Sequence, residues 1–337
     1  MEEIKGLKEY VAWEPYRKAL GLPGEVTEQY RLLAQGEYNR NYLFTHPVTG
    51  KKLLLRVNCG SQMHLENQIQ YEYDTLKLLE NSGRTPRAYY ADGSLKKLPH
   101  GVLVMEFLPG HELNYRTELS FAAVCLADIH SVPVGDDTHL LRPEDPLRAV
   151  LEECEAMVKV YMDAPGEDAK KKDMLRRLLD MGWERLLKSG KKADYACCIN
   201  TELNSTNFLI GGEQGGNFLI DWEKPLYGEP AQDLGHFLAP TTTFWKTDVI
   251  LGEEETAEFI RQYEKQVSGR FDTEGIRERT YTYIPITCLR GVTWCAMAWV
   301  EYQRPDRLLF NQSTFEKLKA YLSWDFLNYV EGVLKRA

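Results

Sequence analysis

No apolar run in the chain approaches the length of a membrane span. The opening, MEEIKGLKEY, is acidic and has no apolar core, so no secretory leader is expected. Basic charge is in the minority: 41 lysines and arginines face 50 aspartates and glutamates, for a net charge of −9. That balance argues against a surface built to hold nucleic acid. Cysteine is sparse and badly spaced for metal or redox chemistry. The seven fall at 59, 125, 154, 197, 198, 288 and 295, an odd number with no C-x-x-C pair. Reduced thiols in a cytoplasmic protein fit this pattern better than disulfides or a zinc site. The adjacent Cys197 and Cys198 read as small core residues. Repeats and low-complexity tracts are also missing.

What is present is an ordinary core composition. Hydrophobic residues make up 43% of 337, enough for two domains or one large two-lobed unit. Residues 29–108 read as strand-rich around one helix. YRLLA and NYLF flank a polar turn from Gly36 to Asn41, Lys52–Val57 reads as a strand, and Gly101–Phe107 reads as a buried one. Pro109-Gly110 breaks the chain. Helical spacing then dominates: Ser120–His130, Leu147–Met162, Ala169–Lys188, Glu253–Gln266, Arg277–Tyr302 and Ser313–Leu334. The expected class is therefore α+β with two lobes. Residues 1–108 form a small antiparallel-sheet lobe with one main helix, and residues 109–337 a larger, mostly helical lobe.

Two constellations point to chemistry. Asn-Phe-Leu-Ile occurs twice, from Asn207 and from Asn217, around Gly211, Gly212, Gly215 and Gly216, which reads as a tight hairpin. Its closed rim brings Asn207 beside Asp221, with Glu202 just upstream and Glu223 just downstream. Three carboxylates and an amide oxygen repel or compete unless a cation sits among them, and oxygen ligands suit Mg²⁺. In the helix of the small lobe, Leu65, Ile69, Leu76 and Leu79 share one face, and Glu72 falls in its middle. A carboxylate on a core-facing stripe needs a partner. Arg56, on the strand face opposite Leu53, Leu55 and Val57, is the candidate.

A polar turn can offer backbone N–H groups to phosphates, an oriented arginine can hold them, hairpin oxygens can hold Mg²⁺, and a further carboxylate can take a proton from a hydroxyl. In this order along a chain, these are the parts of phosphoryl transfer on the kinase plan.

With these pieces in place, the sequence resembles the aminoglycoside phosphotransferase and choline kinase superfamily, the small-molecule branch of the protein-kinase-like fold. Asn200–Asn207, NTELNSTN, is similar to the family's catalytic segment. Ile220-Asp221-Trp222-Glu223 matches its metal-binding segment, Gly228–Leu234 is similar to its downstream Gly-Asp-Pro…Asp-Leu pattern with Glu229 in place of the aspartate, and Leu126–His130 resembles its large-lobe Leu-His helix. Three positions depart: glutamate for the catalytic aspartate at Glu202, asparagine for histidine at Asn200, and arginine for the strand lysine at Arg56.

The resemblance implies an ATP- and Mg²⁺-dependent kinase acting on the hydroxyl of a small molecule. Glu202 would be the catalytic carboxylate, with Asn200 supporting it. Gly36, Asn39, Asn41, Arg56, Glu72, Glu106 and Leu108 would bind nucleotide. Asn207, Asp221 and Glu223 would form the metal site. Asp221 lacks a following activation segment with an Ala-Pro-Glu ending, which counts against a protein substrate. Trp294, Trp299, Glu301 and Tyr302 on a late helix, with the acidic net charge, suggest a cationic acceptor, although either tryptophan taken singly reads better as a core residue. A catalytically impaired nucleotide-binding relative, acting as a sensor, is the alternative that the three departures leave open.

Overall fold

The computed structural model describes residues 4–36, 38–61, 63–188, 193–212, 215–304 and 311–336. The chain begins with two short helices, α1 (Leu7–Val11) and α2 (Glu14–Leu20). They are too short to give a readable period in the sequence. Strands β1 (Arg31–Gln35), β2 (Asn39–Thr45) and β3 (Lys52–Asn58) follow, then α3 (Gln68–Leu79), β4 (Ala88–Asp92) and β5 (Gly101–Glu106). The five strands pair antiparallel in the order β1-β2-β3-β5-β4.

Both faces of this sheet are covered, because β3 and β5 carry apolar residues on alternate sides. Leu53, Leu55, Val57, Val102 and Val104 face a cluster with Tyr10 and Tyr16 of α1 and α2. Leu103 and Met105 face the other way, into the main core with Ile69, Leu76 and Leu79 of α3. Arg56 lies on the α3 side, as the alternation predicts.

The chain then enters the large lobe: β6 (His111–Glu112), α4 (Leu119–His130), α5 (Pro146–Asp163), α6 (Ala169–Lys188), β7 (Cys197–Ile199), β8 (Phe208–Ile210), β9 (Asn217–Leu219), β10 (Leu226–Gly228), α7 (Pro230–Leu238), α8 (Pro240–Lys246), α9 (Glu253–Val267), α10 (Ile276–Tyr302), α11 (Gln312–Tyr321) and α12 (Trp324–Arg336). The hairpin β8–β9 pairs Phe208 with Leu219 and Ile210 with Asn217, as expected. Glu213 and Gln214 at its tip lie outside the described residues. A Cβ on Gly211 would meet the Gly216 carbonyl at 2.6 Å, so this turn requires glycine. β6 adds a third strand to the hairpin, where Gly110, at φ +154°, passes so close to the Leu209–Ile210 backbone that a side chain would clash.

Two sequence readings change. The helix expected over Ser313–Leu334 is two helices. Ser323 separates them: its hydroxyl accepts from Phe326 N–H at 3.3 Å and caps the start of α12. The polar turn expected from Gly36 to Asn41 is shorter, because Asn39 and Asn41 already belong to β2. Gly36 N–H closes it onto the Asn39 carbonyl at 2.9 Å, and Glu37 lies outside the described residues.

Candidate active site

The site begins with a charge that the fold forces inward. Arg56 and Glu72 are both buried, and their side chains meet at 2.6 Å. Burial works against the Arg56 charge, but Glu72, Asp221 and Glu223 outweigh it and push the guanidinium pKa up. For Glu72, burial is the larger effect and holds its carboxyl above the usual range despite Arg56. Its second oxygen, Oε2, is buried without a hydrogen-bond partner. From β2, Asn41 Oδ1 accepts from Arg56 Nε at 3.1 Å and fixes the plane of the guanidinium.

The same guanidinium reaches the other lobe. Arg56 Nη1 lies 3.4 Å from Asp221 and 3.5 Å from Glu223. Asn39 of β2 donates to the Glu223 carboxylate, Gln68 of α3 donates to the Glu223 carbonyl at 2.7 Å, and Tyr71 donates to the Pro225 carbonyl at 2.6 Å. The segment after β9 is thus held by four side chains of the small lobe: Arg56, Asn39, Gln68 and Tyr71.

Asp221 follows the end of β9, where Ile220 N–H donates to the Asn207 carbonyl at 2.8 Å. The hairpin therefore brings Asn207 and Asp221 together as the sequence implied. Asn207 Nδ2 donates to the Glu202 carbonyl at 2.9 Å, so its amide oxygen Oδ1 is the atom a metal could use. Asp221 adopts φ +66°, a left-handed conformation that aspartate tolerates better than most residues. Burial, together with repulsion from Asp221, pushes the Glu223 carboxyl above its usual range.

The loop from Asn200 to Asn207 runs alongside. Asn200 is fully buried. Its Nδ2 donates to the Asp221 carbonyl at 2.9 Å, and its Oδ1 accepts from Glu202 N–H at 3.1 Å. It therefore acts on both segments through their backbones, a positioning role. Asp233, on α7 and fully buried, accepts from the backbone N–H groups of Asn200 at 2.7 Å and Thr201 at 2.8 Å, and lies 3.3 Å from His130. Thr201 has φ +67°, costly for a β-branched residue. Asp233 holds its N–H, and its hydroxyl donates to the Lys224 carbonyl at 2.7 Å, so the strained turn is fixed from two sides.

One expectation needs correction here. Glu202 does not complete a three-carboxylate rim. Its Oε1 lies 3.4 Å from Lys224 Nζ and 3.9 Å from Arg290 Nη2, drawn to cations on the far side of the loop. Among the described residues, no group of three or more His, Cys, Asp and Glu side chains is placed to share a metal. The oxygens at the rim are those of Asp221, Glu223 and Asn207. They fit a hard divalent cation: every donor is oxygen, and the two carboxylates repel each other where a cation would relieve them.

Beside Thr201 and Lys224 opens a cavity of about 300 Å³ between α5, α7 and the first half of α10. Glu153, Gln232, His236 and Arg290 line it with apolar residues that include Val150 and Ile286. Arg290 donates to both oxygens of Glu153, at 2.8 and 3.1 Å. Burial raises the Glu153 carboxyl, but Arg290 wins and holds it below the usual range. His236 is half-buried by surface area yet packed round by protein, and desolvation, with Arg290 beside it, pushes its imidazole down to about 3.

The remaining expected residues sit as follows. Glu106 ends β5, with its N–H on the Arg87 carbonyl at 2.8 Å. Phe107 N–H is taken by the Lys52 carbonyl, and Leu108 is buried where the lobes join. Trp294, Trp299 and Tyr302 do not line the cavity. Trp294 meets Trp245 edge-on, Trp299 stacks on Phe315 and donates to Glu167, and Tyr302 lies against Phe315. Of this helix, Tyr283, Ile286, Thr287 and Arg290 line the cavity, and Arg290 reaches the Asn200–Asn207 loop at Glu202. Sequence reading missed Asp233, Lys224, Arg290 and His236 as site residues. Asp233 had a signal in its Asp-Leu motif, and Lys224 in its place directly after Asp-Trp-Glu.

The sequence profile of the phosphotransferase enzyme family matches residues 29–279. No curated protein matches the chain in sequence. Among solved structures, the chain is similar to a protein of Ralstonia eutropha described as an aminoglycoside phosphotransferase, with a TM-score of 0.68 at 14% identity over 99% of each chain. It is also similar to the choline kinase of Cryptosporidium parvum, with a TM-score of 0.64 at 17% identity over 97% of this chain and 98% of the other. A spectinomycin phosphotransferase in complex with ADP and spectinomycin gives 0.59 at 12% identity over 92% and 93%. At such identities the likeness is one of fold, and the shared fold is the two-lobed, kinase-like one.

Proposed function

Because the chain belongs to the phosphotransferase enzyme family, we propose that it transfers the γ-phosphoryl group of ATP to a hydroxyl of a small molecule. In this reading residues 1–108 hold the nucleotide and residues 109–337 hold the metal and the acceptor. The observation that carries it is one chain of contacts. Arg56, oriented by Glu72, meets Asp221, and Asn200 ties the Asp221 backbone to Glu202.

Arg56 contacts the phosphates, with Gly36 and the turn before β2 beside them. Asn39 and Asn41 act less directly, by fixing Glu223 and Arg56. Glu106 and Leu108 offer backbone groups to the base. Asp221 and Asn207, with Glu223 in support, would hold Mg²⁺, which would neutralise the phosphate oxygens. Glu202 orients the acceptor hydroxyl and takes its proton as the new O–P bond forms and the bond to ADP breaks. Positioning does most of the work in such a transfer, which suits a site whose loops are over-determined by Asp233 and Asn200.

The choline kinase and spectinomycin phosphotransferase likenesses support a hydroxylated small molecule as acceptor. A cationic acceptor has weaker support. The aromatic residues that suggested it pack elsewhere, and both Glu153 and Glu202 already have cationic partners. The absence of a span-length apolar helix among the described residues agrees with a non-spanning enzyme, and we place it in the cytoplasm on its thiol content.

The test is ADP formation from MgATP with a broad panel of alcohols. ADP that forms only when acceptor is present supports the reading. Thermal stabilisation by MgATP without turnover of any acceptor would instead support a nucleotide-binding sensor.

A further inference from the structure

The cavity beside Glu202 has an unusual balance for a site expected to take a cation. Its lining carries two permanent cations, Lys224 and Arg290, and one carboxylate, Glu153. Both Glu153 oxygens are engaged by Arg290, so that acid has little left to offer a ligand. Lys224 has three N–H donors and a side chain only partly exposed, and its ion pair with Glu202 is a long one at 3.4 Å. An ammonium group placed here would face Lys224 and Arg290 with no unengaged carboxylate of the lining to meet it. Like-charge contact at such distances, away from bulk water, opposes binding strongly. An oxyanion would meet the opposite situation: the Lys224 ammonium, whose ion pair with Glu202 is long, and the Arg290 guanidinium, with Thr287 also in the lining.

On the reading of the site given above, we propose that the acceptor carries an oxyanion group, a carboxylate or a phosphate, on the same molecule as its reacting hydroxyl. The oxyanion lies against the Lys224–Arg290 face, while the hydroxyl reaches Glu202. Lys224 is then a specificity-determining residue as well as a neighbour of the catalytic carboxylate. Its position between Glu202 and the cavity lets one ammonium group report on both. The reaction itself is unchanged: the hydroxyl proton goes to Glu202, the O–P bond forms, and ADP leaves. Only the charge of the molecule carrying the hydroxyl is new.

The experiment measures ADP formation with saturating MgATP on alcohols matched in size and different in charge. The three-carbon set is glycerate, glycerol 3-phosphate, glycerol and 3-amino-1,2-propanediol, and the six-carbon set is gluconate, glucose 6-phosphate, glucose and glucosamine. The expected result is a kcat/KM at least about tenfold higher for an anionic member than for its neutral and cationic counterparts. The carboxylate and phosphate arms identify which oxyanion is preferred. Lys224→Gln should remove that preference by raising KM for the anionic acceptor more than for the neutral one. A preference for the amine, or equal rates across each set, overturns the proposal while leaving the kinase reading intact. An anionic preference that survives in Lys224→Gln and also in Arg290→Gln overturns the assignment to this face. ADP formation from none of the acceptors, with MgATP still bound, overturns the phosphotransferase reading and this inference together.

Discussion

Arg56 Nη1 stands 2.6 Å from Glu72 and 3.4 Å from Asp221, so one guanidinium joins a helix of the small lobe to the Ile220–Glu223 segment of the large one. Replacing it should therefore have two separable effects. Arg56→Met should weaken ATP by about ten- to a hundredfold, the value of one or two charge-assisted hydrogen bonds, and adenosine far less. Titration calorimetry with both ligands reads the difference, and equal losses would mean that the arginine is structural only. The variant should also unfold at lower temperature, because Glu72 is left buried without its partner. That cost is typically about 3–5 kcal/mol and should shrink in the double variant Arg56→Met, Glu72→Gln.

Asp221→Asn keeps the shape of the side chain and tolerates the left-handed backbone at this position, so the fold should persist. What is lost is a full negative charge on the proposed metal. The Mg²⁺-dependent part of ATP binding should disappear, while binding measured in EDTA stays near the parent value. A variant that still gains affinity on addition of Mg²⁺ would remove Asp221 from the metal site.

Asp233 offers a test of the loop anchor. It receives the N–H groups of Asn200 and Thr201 from inside the core. Asp233→Asn turns one carboxylate oxygen into an N–H donor, which cannot accept from those groups. The Asn200–Glu202 turn should loosen, and kcat should fall by about a hundredfold with little change in KM for ATP. A change in KM alone would show that the loop keeps its shape without this anchor.

His236 predicts a pH dependence of stability. Its imidazole titrates near 6.5 when exposed and is pushed down to about 3 in the folded protein. The unfolded chain therefore binds the extra proton first, and stability is complete above pH 6.5 and falls as the pH drops from there toward 3. The slope approaches about 1.4 kcal/mol per pH unit for one group. Glu223, whose folded pKa is raised, acts in the opposite sense by losing stability as the pH rises, so the comparison should be by difference. The parent should lose more of its melting temperature between pH 6.5 and 5 than His236→Asn does. Parallel curves would show that the imidazole is solvated in the folded state.

Much of this was legible from the sequence, for identifiable reasons. Strand alternation put Arg56 opposite Leu53, Leu55 and Val57, and helix period put Glu72 on the apolar face of α3, so their meeting followed from two local rules. The hairpin around Gly211 and Gly216 likewise fixed Asn207 beside Asp221. What could not be read were contacts between residues with no common period. Nothing local says that Glu202 turns toward Lys224 and Arg290, since Arg290 comes from a helix that starts 74 residues after it. The same limit explains the aromatic residues of α10. Trp294 and Trp299 have the composition of a binding wall, but which part of a 27-residue helix faces the Asn200–Asn207 loop depends on how it crosses α5 and α7.

The length of the Glu202 side chain bears directly on its proposed catalytic role. The resembling family carries aspartate where this chain has Glu202. If the longer carboxylate were only a handicap, Glu202→Asp should raise the rate. The structure argues the reverse. Glu202 Oε1 already lies at 3.4 Å from Lys224 and 3.9 Å from Arg290, near the limit of an ion pair. Removing a methylene draws the carboxylate back by about an ångström, beyond the reach of both cations, and misplacement on that scale costs about a hundredfold in rate. Glu202→Asp should thus lower kcat by ten- to about a hundredfold, and Glu202→Gln should lower it further, because the amide cannot take the hydroxyl proton. ATP affinity should stay near the parent value in both, since the nucleotide contacts proposed here lie on Arg56 and the metal-binding segment. Single-turnover kinetics separate the chemical step from product release. A faster chemical step in Glu202→Asp would show that the backbone has kept the position of the shorter residue. A parent rate in Glu202→Gln would show that another group receives the proton.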